Sequence, residues 1–271
     1  AQDTGNPNAW YYHGLVLNRL GRPGKAIESL DHALAIDPGN AKALLEKVRA
    51  QMAGLRYQEA LGTLDRLTAL EPENPEAWFE EGLSEKELGR PDEAIGSVRR
   101  ALALAPQHAA AWCALGLTLM EEGLTENAVE PLARAVVFDP SLALAWYHLG
   151  AGLVDLRRFR EAAEALGNSL ALDPENPDAW YHQGIVQNRL GRHGKALESL
   201  DRALSLDPAN GKALLEKVRA QMAGLRYREA LETLDLLTAF QPENAEAWYR
   251  RGAIMALLGI HEEALDHLAS A

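Results

Sequence analysis

The chain has 271 residues, 47% of them apolar, a formal net charge of −12 and one cysteine, Cys113. The acidic balance disfavours nucleic acid as a partner, because phosphates need clustered Lys and Arg, and no apolar run reaches the roughly 20 residues of a membrane span. A lone cysteine closes no internal disulfide and fits a reducing compartment, so a cytoplasmic location is expected.

Residues 1–6 read as an N-terminal tail without a signal-peptide pattern. From Pro7 onward the chain keeps one beat. Trp10, Trp78, Trp112, Trp146, Trp180 and Trp248 are separated by 34 residues or twice 34, and Leu44 and Leu214 fill the skipped steps. Pro38, Pro72, Pro106, Pro140, Pro174, Pro208 and Pro242 keep the same interval of 34. Self-similarity at this period predicts stacked copies of one small unit, with repeats at 7–40, 41–74, 75–108, 109–142, 143–176, 177–210, 211–244 and 245–271. Such an array grows along one axis without an enclosed cleft, which points to binding rather than catalysis, with no cofactor or metal expected.

Each repeat reads as two helices. In residues 75–108, Asn74 caps a helix that Pro75 opens and Glu76 supports at its positive end. This helix runs to about Leu88, and Gly89 stops it. Pro91 opens a second helix, with Asp92 and Glu93 in its first turn, that ends before Pro106. No stretch alternates as a strand would, so the fold class is all-α. Small residues pair across each hairpin: Gly82 with Ala94, and likewise Gly14 with Ala26, Gly116 with Ala128, Gly150 with Ala162, Gly184 with Ala196 and Gly252 with Ala264. Repeats 2 and 7 depart from this, with Val48 and Val218 at the small position and Gly54 and Gly224 one place early. Pro131 falls inside a second helix and is expected to bend it.

A Trp followed by Gly four residues on, Ala sixteen on and Pro twenty-eight on resembles the tetratricopeptide repeat, over residues 7 to 271. The resemblance implies a right-handed superhelical α-solenoid of antiparallel helix pairs. It also implies a concave groove, lined by the first helices, that holds a peptide or a partner protein. The chain departs from the family at the Leu before the glycine, kept only at Leu115 and Leu149.

By the same resemblance, groove positions are the second, fifth, sixth, ninth, twelfth and thirteenth of each repeat. They supply Tyr11, Tyr12, Asn18, Arg19, Lys42, Arg49, Met120, Tyr147, His148, Tyr181, His182, Asn188, Arg189, Lys212 and Arg219. Over all groove positions the charges are eight positive and nine negative, so the rest of the chain carries about −11. Arg19, Lys42 and Arg49, with Arg189, Lys212 and Arg219, are expected to receive acidic side chains or a terminal carboxylate, and the tyrosines to supply flat apolar contact. The opposing expectation is that Glu46, four residues after Lys42 and three before Arg49, satisfies both cations within the helix. The family's carboxylate clamp for chaperone tails is not reproduced, since Glu46, Glu80 and Glu216 stand at its Asn position. The asparagine ladder of sugar-transferring relatives is absent too.

Repeats 1 and 2 are nearly copied as repeats 6 and 7. Residues 41–74 and 211–244 agree at 28 of 34 positions, and 7–40 and 177–210 at 23 of 34. Other signals carry less. His261-Glu262 lacks a second zinc ligand at Leu265, and Gly24-Lys25 lacks the phosphate-loop glycine. A metal shared by His148 and His182 lacks an evident third ligand, and Cys113 has no base. The leading expectation is an interaction scaffold that is not an enzyme. Its partner is a protein or peptide, with acidic residues on it. The alternatives are a homodimer through terminal repeats, covering Leu265 and Leu268, and a regulatory fragment of a larger protein.

Overall fold

A computed structural model describes residues 5–261 and residue 264. Leu265 and Leu268 lie outside the described residues. Among the described residues there are fifteen α-helices and no strand. They alternate as hairpins: α1 (Pro7–Arg19) with α2 (Pro23–Ile36), α3 (Ala41–Ala53) with α4 (Tyr57–Leu70), and α5 (Pro75–Glu87) with α6 (Pro91–Leu104). Then follow α7 (Ala109–Glu121) with α8 (Thr125–Phe138), α9 (Ala143–Asp155) with α10 (Phe159–Leu172), and α11 (Pro177–Arg189) with α12 (His193–Leu206). The last are α13 (Gly211–Ala223) with α14 (Tyr227–Phe240), and α15 (Ala245–Leu257). The chain forms two compact bodies, Ala1–Asp139 and Pro140–Ala271, so hairpins 1–4 belong to the first and the later ones to the second.

Local chemistry explains the helix limits. The Asn74 side chain accepts the N–H groups of Glu76 and Ala77, and Asn6, Asn40, Asn176, Asn210 and Asn244 cap their helices in the same way. At α7 the cap is His108, whose Nδ1 accepts the Ala111 N–H at 3.2 Å. The first helix of repeat 3 ends at Glu87, one residue earlier than expected, with Leu88 as its cap. Helix α8 runs unbroken through the buried Pro131. The fifteenth residue of each repeat is left-handed. Glycine occupies it at Gly21, Gly89, Gly123, Gly191 and Gly259, but Leu55, Arg157 and Leu225 hold φ of 58°, 59° and 59°. Gly54 and Gly224 are ordinary caps with negative φ, so the early glycine does not take over the turn's left-handed residue.

The hairpin crossings are close. A Cβ on Gly184 would lie 2.6 Å from Leu200 Cγ, and one on Gly82 would lie 2.5 Å from Val98 Cγ2 and 3.0 Å from the Ala94 carbonyl oxygen. The small residue thus admits the branched side chain four residues past the expected alanine as well as the alanine backbone. Opposite Gly14, Gly116, Gly150 and Gly184, the side chains of Leu30, Leu132, Leu166 and Leu200 are fully buried, each contributing roughly 1.5–3 kcal/mol.

The tryptophan and proline rulers are parts of one device. Trp78, Trp112, Trp146, Trp180 and Trp248 each donate their indole Nε1–H to the carbonyl of the proline six residues earlier, at 2.9, 2.8, 3.0, 2.8 and 2.7 Å. The proline ends one hairpin, and the Trp of the next helix ties down the turn between them. In the first repeat Trp10 stacks on His32 at 4.5 Å.

Candidate protein-binding groove

First helices lie against their successors: α1 on α3, α3 on α5 and α5 on α7 in the first body, and α9 on α11 and α11 on α13 in the second. Groove-position side chains therefore come from neighbouring rungs of a ladder.

In the first body Asn18 Nδ2 donates to the Glu46 carbonyl oxygen at 2.9 Å and to Glu46 Oε2 at 3.3 Å. Arg49 grips three carboxylates: Glu46 Oε1 at 2.9 Å, Glu76 Oε1 at 2.7 Å and Glu80 Oε1 at 3.2 Å. Glu46 and Glu80 are buried. Burial pushes the Glu80 carboxyl up and Arg49 pulls it back down. His108 extends the network by donating from Nε2 to Glu76 Oε2 at 3.2 Å, since its Nδ1 already accepts at the helix cap. Arg19 and Lys42 are exposed and make no ion pair with the described residues. Tyr12 is exposed, with its ring 5.0 Å from the half-buried Tyr11. Met120 is half-buried on α7, and Lys86 reaches Glu121 at 2.8 Å.

In the second body Asn188 repeats the Asn18 contact, donating to the Glu216 carbonyl oxygen at 3.1 Å and to Glu216 Oε1 at 3.2 Å. Arg189 and Arg219 both hold the buried Glu216, at 3.3 and 2.6 Å. Arg219 also reaches Glu246 at 3.2 Å, which Arg250 holds at 2.7 Å. Lys212 is exposed and unpaired among the described residues. Tyr147, His148, Tyr181 and His182 form an edge-on aromatic group. Tyr147 lies 4.7 Å from His148 and 5.6 Å from His182, and Tyr181 lies 5.1 Å from His182. Burial, with Asp178 and Tyr181, pushes the Tyr147 hydroxyl up to about 12. His182 Nδ1 sits 2.8 Å from the Asp178 carbonyl oxygen, which it engages by donating a proton. Among the described residues no group of three His, Cys, Asp or Glu is placed to hold a metal. Burial raises the thiol of Cys113, which disfavours the nucleophilic thiolate.

The expected cations therefore divide. Arg49, Arg189 and Arg219 are bound to glutamates of their own fold, whereas Arg19, Lys42 and Lys212 face solvent. Sequence reasoning missed His108. Its signal was a departure from asparagine at the cap position, which turned a local cap into a bridge to the preceding repeat. No helix among the described residues is long and apolar enough to cross a membrane.

Two family models, both described as tetratricopeptide repeat, match the chain, one at residues 79–143 and 147–211 and the other at 17–79 and 188–271. No curated protein matches it. Among solved structures it is similar to the MamA protein, at 27% identity and a TM-score of 0.59 over 65% of this chain and 96% of that one. It is similar in fold to YrrB, described as a TPR protein with an unusual peptide-binding site, at 22% identity and a TM-score of 0.62 over 70% and 98% of the two chains. Pseudomonas aeruginosa pilF gives 18% identity and a TM-score of 0.69 over 80% and 96%. The paired helices, the Trp–Pro locks and both sequence matches agree: the chain belongs to the tetratricopeptide-repeat family.

Proposed function

We propose that the chain is an interaction scaffold whose first-helix face binds an extended segment of a partner protein carrying acidic residues. The observation that supports this reading is the division of the cations. Lys42, Lys212 and Arg19 stand exposed without an ion-pair partner among the described residues, and Arg19 lies close enough to Tyr11 to act on its hydroxyl. Arg49, Arg189 and Arg219 instead fix the wall by neutralising buried glutamates. A carboxylate landing on the exposed lysines forms charge-assisted contacts without breaking an internal pair. Tyrosine supplies contact area at small entropic cost.

The test is fluorescence anisotropy with a labelled acidic peptide that has a free C-terminus. Replacing Lys42 and Lys212 together by Glu is expected to weaken binding by about tenfold or more, mostly through repulsion at the contact. Equal affinity in wild type and variant would remove the reading.

A second reading, self-association, has its own support. The tenth residue of each later first helix, such as Val186, is buried, yet Val16 on α1 is 53% exposed, with Leu20 beside it at 61%. Sedimentation separates the two. A concentration-dependent dimer that disappears in Val16→Glu supports assembly, whereas a monomer at all concentrations excludes it.

A further inference from the structure

Four aspartates stand at one place in the repeat, on the second helix: Asp31, Asp65, Asp201 and Asp235. Sixteen residues later, on the next first helix, stand Lys47, Glu81, Lys217 and Arg251. Three of these pairs are ion pairs: Lys47 to Asp31 at 2.6 Å, Lys217 to Asp201 at 2.7 Å and Arg251 to Asp235 at 2.8 Å. They join consecutive hairpins across the packed side of the stack. At the joint between hairpins 2 and 3 the same register sets Glu81 against Asp65, so a carboxylate takes the cation's place.

The surroundings leave Glu81 without relief. Its Oε2 is buried and has no hydrogen-bond partner. From α4 it faces Asp65, and one turn on along α5 it faces Glu85. From α6, Ser97 Oγ donates to Glu85 at 2.7 Å, while Glu93 and Arg90 act on Glu85. No cation is among the groups acting on Glu81. Burial first, then Glu85 and Asp65, raise its carboxyl to about 7. On the groove side of the same joint Arg49 ties α3 to α5 through Glu76 and Glu80. One side is clamped and the other carries a charge defect.

We propose that the joint between hairpins 2 and 3 is a proton-dependent hinge: it closes when Glu81 is protonated and loosens when ionised Glu81 confronts Asp65. The three ion-paired joints lack this property. A group whose acid form is favoured in the packed state adds stability that is complete below its ordinary value of 4.5 and is lost as pH rises through about 7. The hinge therefore works near neutral pH.

Amide hydrogen exchange on the full chain at about pH 6 and about pH 8, corrected for the chemical exchange rate, tests this. Amides of α4 and α5 are expected to open up to about tenfold more readily at the higher pH, the ratio that crossing a carboxyl value of about 7 gives between these two pH values. The α2–α3 and α12–α13 joints should not respond. Glu81→Gln should abolish the response, and Glu81→Lys should abolish it and add protection by restoring the ion pair. An unchanged response in Glu81→Gln, or an equal response at α2–α3, would overturn the proposal. Should Glu81→Lys fail to fold, Glu81→Gln alone decides.

Discussion

Arg49 and Arg219 occupy the same place in two stretches that agree at 28 of 34 positions, and each holds the buried glutamate three residues before it. Beyond that glutamate their surroundings part. Arg49 meets Glu76 and Glu80 of the next first helix. Arg219 meets Glu246, and the place of Glu80 is taken by Arg250, which grips Glu246 as well. The first copy gathers three carboxylates around one arginine, and the second gathers three arginines around two carboxylates. Part of this difference comes from the repeat that follows, where Arg250 replaces Glu80, and part from Arg189, which holds Glu216 whereas its copy Arg19 makes no ion pair among the described residues. The other edge differs likewise: Val186 is fully buried, whereas its copy Val16 is exposed. In a stack, a residue's environment belongs half to the adjoining repeat.

Paired substitutions break or sharpen this comparison, each followed by denaturant titration. Val186→Asp places an unpaired charge in a sealed joint and should cost about 4 kcal/mol. Val16→Asp should cost under about 0.5 kcal/mol, as a surface change does. Equal costs would mean that α1 is covered after all.

Arg49→Ala strands the buried Glu46 and Glu80 and should cost about 2–3 kcal/mol, discounted for the exposure of the arginine. Arg219→Ala should cost about 1 kcal/mol, because Arg189 still holds Glu216. The Arg49→Ala deficit should shrink on acidification, since Glu80, already raised by burial, then sheds its charge. A deficit independent of pH would show that the guanidinium acts through packing instead.

Gly14→Ala and Gly184→Ala should cost about 2 kcal/mol each, because both methyl groups would lie 2.6 Å from a leucine Cγ. Here the copies should agree, since the crossing lies within one hairpin. Smallest of all, Leu55→Gly and Leu225→Gly should each gain about 0.5–1 kcal/mol, relieving the left-handed strain less the entropy of glycine. Both leucines are over 70% exposed, so little packing is lost.

Features confined to one repeat were legible in the sequence. The interval of 34 gave the hairpins, Asn74 and its counterparts gave the caps, and Gly82 gave the close crossing. Features that join repeats were harder to read. The two rulers were visible, but not that each indole donates to the proline six residues back. The left-handed leucines were hidden because Gly54 and Gly224 stand one residue before the strained position. The charge balance of the groove depended on contacts 27 and 31 residues apart, from Arg49 to Glu76 and Glu80, outside any helix-face rule. The Glu81 defect shows only when the four aspartates are set beside the residue sixteen places on.

The reading of the first-helix face is tested most directly by photo-crosslinking. A benzoylphenylalanine replacing Tyr12 on α1 and, separately, Val137 on α8 compares two exposed sites, one on each kind of helix. With a bound acidic peptide, crosslinks are expected from position 12 and not from position 137. Crosslinks from position 137 with none from position 12 would contradict the account.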